Sequence, residues 1–535
     1  MTVVALSPPS SRAARNPWLV AAVAVVPTFM EVLDTTIAVV ALRYIVGGLS
    51  ATVDDGEWVV TSYLAANAVI LPITGWLSAH LGRRNYFLAS IAIFTLSSLL
   101  CGMAGSLGQL ILFRVIQGLA GGGLQPSSQG VLLDAFPPEK QGTAMTLFGF
   151  AALIAPVAGP TLGGWITDSY SWRWVFLINV PVGLLALAGC YALLRDPEYL
   201  TTQRMELRKQ PFHFDSIGLS LLVIVIVCWE VMLSKGQEWD WLGDPFGRIQ
   251  TLAIFFTVGL AGLIFWELHH RNPVVNFRPL RERNFAACCI IIFCAYLALY
   301  AASTSLPGLL QSLFGYDALS AGLVMSPGGV FAVLAMPIVG RLLGRGKDAR
   351  WLIAVGLLIM TAGNYWMSQL NLDISPGQVI WPRVLVVAGL AVSFAPVNVA
   401  AYLYTPLALR GAAVGLLSLL RNEGGSVGTS LAQTFQERRD QFHTLRLGEY
   451  LDPFNAAANS FLAHARAFFL QQTADPVAAQ QFAWQELENL RQQQASSLAY
   501  FDSFWMSAVL TFAVAFLVLF MKRSVAERGA HAGPE

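Results

Sequence analysis

The chain has 535 residues, 55% of them hydrophobic and only 12% charged, with a net charge of +1. Ordinary soluble domains carry roughly 25% charged residues, so the composition excludes one. A net charge this small gives no electrostatic footprint for a nucleic-acid partner.

Fourteen apolar stretches approach the length of a membrane span, which takes about 20 residues. They lie near 17–42, 56–77, 86–105, 108–130, 143–165, 174–194, 216–233, 248–268, 286–309, 319–340, 351–370, 378–400, 411–434 and 502–521. Helices satisfy their backbone groups internally in lipid, so the sequence predicts an all-α polytopic membrane protein. The first sixteen residues are polar, with Arg12 and Arg15 and no small-residue cleavage site. Span 1 is therefore expected to be retained rather than removed as a signal.

Span 1 carries two acids, Glu31 and Asp34. Residues i and i+3 share a helix face, so both are expected to point the same way. A charge deep in a bilayer costs at least about 2.5 kcal/mol, and such groups usually face a cavity or a partner that handles ions, protons or substrate. Asp34 is the expected coupling-proton site. A carboxyl among apolar residues can take up a proton from one side and release it where water reaches it. Glu31 is a second protonation site, a contact for cationic substrates, or a group turned to the lipid edge.

Span 2 adds Tyr63 and Asn67 and closes on Gly75; Gly82, Arg83 and Arg84 follow in the loop to span 3. Span 4 has Arg114 as its one basic residue, then Gln125 and Gln129. A buried arginine needs an acceptor, whether an acid or the backbone carbonyls of span 1. Gly118, Gly121, Gly122 and Gly123 lack the Lys-Ser/Thr that would make them a phosphate-binding loop. Span 5 has Gly159, Pro160, Gly163 and Gly164, a small-residue face with a helix-bending proline. Glu230, near the outer end of span 7, reads as solvated. Span 12 contributes Asn398. Arg421 and Glu423 in span 13 are two residues apart and point to different faces, Glu423 being a candidate for a second-half site. Tyr63, Asn67, Gln125, Gln129, Asn398 and Glu423 are thus the candidate cavity residues. The long segment 435–501 is polar and rich in Gln and Ala, with the apolar spacing of two amphipathic helices.

Lys and Arg collect on one set of loops, among them Arg83, Arg84, Lys140, Arg195, Arg208, Lys209, Arg271, Arg278, Arg281, Arg341, Arg345 and Lys347. The short loops of the other set hold Arg43, Arg173, Lys235 and Arg248. Cytoplasmic loops carry the excess, so both termini are expected in the cytoplasm and 435–501 outside.

An internal repeat runs through the chain. Pro72-Ile73-Thr74-Gly75 matches Pro337-Ile338-Val339-Gly340 at an offset of 265; Arg114-Val115 matches Arg383-Val384 at 269. Pro137, Gly142, Ala144 and Gly159 match Pro406, Gly411, Ala413 and Gly428, again at 269. Spans 1–6 then correspond to spans 9–14. Parallel six-span halves describe the major facilitator arrangement, with substrate bound near the midplane between them. The expected organisation is a six-span bundle over 1–200, two inserted spans with flanking loops over 201–275, and a second bundle over 276–535.

The motifs now make a family resemblance specific. Over essentially its whole length the chain resembles the fourteen-span drug:proton antiporters of the major facilitator superfamily, in the EmrB/QacA-like branch. Leu33-Asp34-Thr35-Thr36 resembles that branch's span 1 signature, and Leu112-Phe113-Arg114-Val115-Ile116-Gln117-Gly118 its span 4 motif. Gly159-Pro160 with Gly163-Gly164 resembles the antiporter motif, and Trp172 to Pro181, with Asn179, the entry to span 6. Gly75 to Arg84 resembles the cytoplasmic gate motif, with Ala79 where the family usually has an acid. That departure prevents the usual acid-to-arginine latch from forming in the same way. The resemblance implies proton-coupled efflux of lipophilic small molecules or drugs across the inner membrane, with Arg114 as proton-transfer partner of Asp34. The long outer segment is similar to the EmrB side, which implies a periplasmic adaptor of a tripartite pump.

Two other readings stand beside this one. The first is export of one native solute, such as a fatty acid or secondary metabolite. The second, a membrane-embedded enzyme or receptor, lacks support: the seven histidines fall in loops or tails, no metal-ligand spacing occurs, and no cofactor is implied. The six cysteines read as small apolar residues.

Overall fold

The computed structural model describes residues 16–525 except 138–139, 198–199, 203, 206–214, 271–272, 374, 407–408 and 453. Arg12, Arg15, Arg208, Lys209, Arg271, His213 and His531 lie outside the described residues. Among those described there are helices and no strand.

Among the described residues, twelve helices are long and apolar enough to cross a membrane. Eleven of them are α1 (Pro17–Gly48), α2 (Trp58–Leu81), α3 (Arg83–Met103), α4 (Leu107–Ala135), α6 (Trp174–Leu193), α7 (Ser216–Lys235), α8 (Arg248–His269), α9 (Arg283–Ser312), α10 (Ser320–Gly344), α11 (Ala349–Ser368) and α12 (Gly377–Leu403). The twelfth, α15 (Pro476–Phe520), follows α14 (Ala456–Thr473). Helices α5 (Gln141–Ser169) and α13 (Arg410–Gly448) occupy the two remaining expected positions. Helix starts follow local chemistry: Asn16 caps α1 by accepting from Trp18 N at 3.0 Å, with Pro17 at the first position. The reversal from α2 into α3 takes Gly82 to φ +87°, a conformation that costs glycine little.

Helices α1–α6 pack chiefly on one another, and so do α9–α13 with α15. The two groups meet where α2 packs on α13 and α5 on α10 and α12. Helices α7 and α8 pair with each other, and α7 alone of them reaches α2 and α13. We call the face where α1 begins the inner face. Toward it, α2 and α13 touch directly. A Cβ on Gly75 would stand 2.8 Å from the Gly411 carbonyl carbon, and one on Gly415 would stand 2.7 Å from Leu71 O. Toward the outer face α7 stands between them. Thr61 and Ser234 share a hydrogen bond at 2.5 Å, Lys235 pairs with Glu57 at 2.8 Å, and Ser430 donates to Leu233 O at 2.7 Å.

The glycine contact gives a direct expectation. Gly75→Leu should keep the inner ends apart, because overpacking a tight contact costs about 1–3 kcal/mol. A cysteine pair placed at the inner ends of α2 and α13 should crosslink less in the variant than in the parent. Equal crosslinking would mean that this contact does not hold the inner ends together.

Segment 435–501 differs from the expected loop of two helices. Helix α13 runs unbroken to Gly448, and α15 begins at Pro476. At about 1.5 Å per residue, the part of α13 beyond 434 reaches roughly 20 Å past the bundle. It is tied to α15 by Asp502, which accepts from Arg439 at 2.6 Å, and by Ser496 donating to Asp440 at 2.6 Å. Helix α14 then folds along α15, with Phe469 against Phe482 at 5.6 Å.

Candidate functional site

The two acids of α1 do share a face, but they meet different surroundings. Asp34, 1% exposed, accepts from Arg114 Nη1 at 2.6 Å on one oxygen. Its other oxygen accepts from Asn179 Nδ2 at 2.6 Å and Gln117 Nε2 at 3.1 Å. Arg114 also donates to Val59 O at 3.0 Å and Gln117 Oε1 at 2.8 Å, and its guanidinium lies over the Tyr63 ring at 4.1 Å. Gln117 reaches on to Ser98 Oγ at 2.8 Å. Helices α1, α2, α3, α4 and α6 therefore converge on one buried ion pair. Their approach is permitted by small residues: Gly118 lies against the Tyr63 carbonyl, and Gly121 against the Tyr63 hydroxyl and Asn67. Arg114 Nη2 is buried with no hydrogen-bond partner among the described residues.

Glu31, 3% exposed, is buried rather than turned to lipid. Among the described residues it has no direct cation. Gln125 Nε2 donates to it at 2.5 Å, Asn67 Nδ2 at 3.0 Å and Tyr63 OH at 3.2 Å. Gln125 in turn accepts from Arg421 of α13, so a chain of three side chains links the two halves. Arg421 also lies over Phe148 at 5.6 Å and Tyr296 at 6.0 Å. A second polar bridge crosses the same seam, where Gln129 Nε2 donates to Asn398 Oδ1 at 2.5 Å.

Of the expected cavity residues, Tyr63, Asn67 and Gln125 thus gather on Glu31, and Gln129 meets Asn398. Glu423 does not join them: it accepts from Trp229 of α7 at 2.8 Å. Glu230, expected to be solvated, is 2% exposed. The span 5 glycines divide. Gly159 packs on Thr36 and Gly163 on Ile37, so α5 lies close along α1, while nothing stands within 4 Å of a Cβ on Gly164. In the gate motif Arg83 pairs with Asp134 and donates to Gly130 O at 3.0 Å, and Arg84 N donates to Asp196 at 2.7 Å. Arg83 therefore binds the inner end of α4 through an acid other than the one missing at Ala79, while the Arg84 guanidinium donates to Leu194 O and Tyr191 O at the inner end of α6, each at 3.0 Å. Asn179, Gln117 and Ser98 are site residues that residue chemistry did not single out. Arg421 was visible as an intramembrane cation, but its reach to Gln125 was not.

The second half lacks this ion pair. Arg383, the repeat counterpart of Arg114, is 3% exposed and donates to Ser303 Oγ at 2.8 Å. Ser303 lies at the same offset of 269 from Asp34. Ionisable chemistry at this depth is therefore asymmetric, with the acid–base pair in the first half alone.

A polytopic helical bundle with a buried acid–arginine pair beside a polar seam between two packed groups of helices has the form of a secondary transporter. The chain belongs to the major facilitator superfamily, whose family model matches residues 25–429. It is 37% identical over 500 residues to the multidrug export protein EmrB of Haemophilus influenzae, covering 92% of this chain and 94% of that one. It is 36% identical over 436 residues to the fatty acid resistance protein FarB of Neisseria gonorrhoeae, covering 82% and 84%. Among solved structures, a proton:xylose symporter of the same superfamily is similar with a TM-score of 0.58 at 15% identity, covering 96% of this chain and 97% of that one. That likeness concerns the fold alone.

Proposed function

We propose that this protein exports lipophilic small molecules across the inner membrane in exchange for protons, as a transporter rather than an enzyme. The observation that carries the reading is the Asp34–Arg114 pair, sealed from water inside the first bundle. A proton arriving from the outer side neutralises Asp34. Arg114 then loses its anion but keeps Val59 O and Gln117, so α1 is released relative to α4. Release of the proton toward the cytoplasm restores the pair. The links Glu31–Gln125–Arg421 and Gln129–Asn398 carry such movement of α1 and α4 to the second half, since each joins the halves at the seam. The working units in this reading are the bundles 1–200 and 276–535, with 201–275 inserted, and both termini in the cytoplasm. A panel of cationic, neutral and anionic substrates tested in loaded vesicles checks it: uptake of several lipophilic compounds under a pH gradient is expected.

A second reading, export of one native solute such as a fatty acid, is favoured by the likeness to a protein named for fatty acid resistance. The same panel separates the two, because a single transported class would select it.

The helices beyond the bundle suit a periplasmic adaptor. Phe454 is 94% exposed and Trp484 53% on this projection, and exposed apolar side chains of this size suit a protein partner. Excising 449–475 and joining α13 to α15 with a flexible linker is expected to leave substrate binding by purified protein intact and to reduce resistance in cells. Unchanged resistance, with no periplasmic partner captured by crosslinking in intact cells, would leave α14 as a cap.

A further inference from the structure

Glu230 on α7 and Glu423 on α13 are both buried, 2% and 7% exposed, and their carboxyls face each other as direct neighbours. Ser426, one turn beyond Glu423, places its hydroxyl 3.1 and 3.0 Å from the two Glu230 oxygens. Trp229 Nε1 occupies Glu423 Oε2 at 2.8 Å. The other oxygen, Glu423 Oε1, is buried and receives no N–H or hydroxyl donor among the described residues. The polar group left to it is the Glu230 carboxyl.

No cation compensates this pair among the described residues. Arg421 turns to Gln125 and the Phe148 ring, and Lys235 is held by Glu57 at 2.8 Å and Glu238 at 2.5 Å. The surrounding helices present uncharged groups. Phe256 of α8 stacks on Trp229 at 4.8 Å, Tyr300 of α9 lies beside Gly425, and Thr61 of α2 binds Ser234. Two ionised carboxylates in contact repel, and burial away from water adds to the cost. Two carboxyl groups can hydrogen-bond to each other only when one of them supplies the proton.

We propose that Glu230 and Glu423 hold one proton between them and form a second proton-binding site, which joins the inserted pair α7–α8 to the second bundle and is separate from Asp34 and Arg114. With the proton in place, one O–H···O contact closes α7 on α13 and the site carries a single negative charge. When the proton leaves to water, the site carries two charges and the helices are pushed apart at this level. Thr61–Ser234 and Lys235–Glu57 still hold α7 to α2. Proton occupancy thus selects whether α7 moves with the first bundle or stays on the second. Its role in transport rests on the proton-driven reading above; proton binding itself does not.

Infrared spectroscopy of the purified full chain tests the site directly. The wild type should show the carbonyl stretch of a protonated carboxylic acid that shifts in heavy water and fades as pH rises. In a Glu31→Gln background, which removes the other buried acid without a cation partner, Glu230→Gln and Glu423→Gln should each remove that band, because the remaining carboxyl then accepts from the new amide. Asp34→Asn should keep it, which separates this site from the coupling site. A band that survives both glutamine substitutions, or its absence from the wild type, overturns the proposal. So does its removal by sodium chloride but not choline chloride at constant pH, which would mark a metal-cation site. Should a glutamine variant fail to fold, Glu31→Gln protein labelled with 13C-glutamate gives the answer: a shifted band supports the site, and an unshifted one overturns it.

Discussion

Asp34→Asn abolishes transport driven by a pH gradient while the protein remains inserted, folded and able to bind substrate. The expectation follows from the geometry of the pair. The substituted amide would still offer one oxygen to Arg114 or Gln117, so the bundle keeps much of its packing. It would carry no charge and bind no proton. Breaking a buried ion pair by removing one partner costs about 3–5 kcal/mol, here offset in part by the retained acceptor. Each 1.4 kcal/mol is tenfold in an equilibrium constant, so a variant that must rearrange this site every cycle loses its coupling altogether. Uptake into inside-out vesicles under an imposed pH gradient measures it. Wild-type uptake by the variant would remove Asp34 from the mechanism.

Arg114→Ala impairs transport more severely than Arg114→Lys. Alanine leaves Asp34 as a buried anion with only Gln117 and Asn179 as donors, and it vacates the space against Tyr63. Lysine restores the charge and can reach Asp34. Its ammonium lacks the planar fork that lets arginine hold Asp34, Gln117 and Val59 O together. The expected order is therefore wild type, then lysine, then alanine, with the alanine variant down by at least about tenfold for the reason just given. Initial rates under the same pH gradient, normalised to folded protein, read this order. Equal rates for the two variants would make Arg114 a packing element.

Much of the fold was legible because lipid leaves so few solutions. Apolar runs of span length can only be helices, and a repeated offset of 269 ties Arg114 to Arg383 without any structure. The pairing of Asp34 with Arg114 is implied by the family resemblance; residue chemistry alone leaves an acid and the backbone carbonyls of span 1 equally open as acceptors. What escaped was everything decided by which helix lies beside which. Asn179, Gln117 and Ser98 are ordinary polar residues until α3, α4 and α6 bring them to one carboxylate. Glu230 looked solvated because it lies near the end of its span; packing of α7 between α2 and α13 buries it. Gly164 shares a motif with Gly159 and Gly163, but it faces away from α1. The apolar spacing of the outer segment shows amphipathic helices, but not that α13 runs on to Gly448 and α15 starts at Pro476, with α14 as a separate helix between them.

The central claim is that substrate export is coupled to the loss and gain of a proton at Asp34. Substrate added to purified protein in weakly buffered solution tests it most directly, with a pH indicator following the bulk. Proton release is expected from the wild type on substrate addition, saturating with substrate occupancy, and none from Asp34→Asn at matched binding. Release of the same size from the variant, or no release from a wild type that binds substrate, would contradict it.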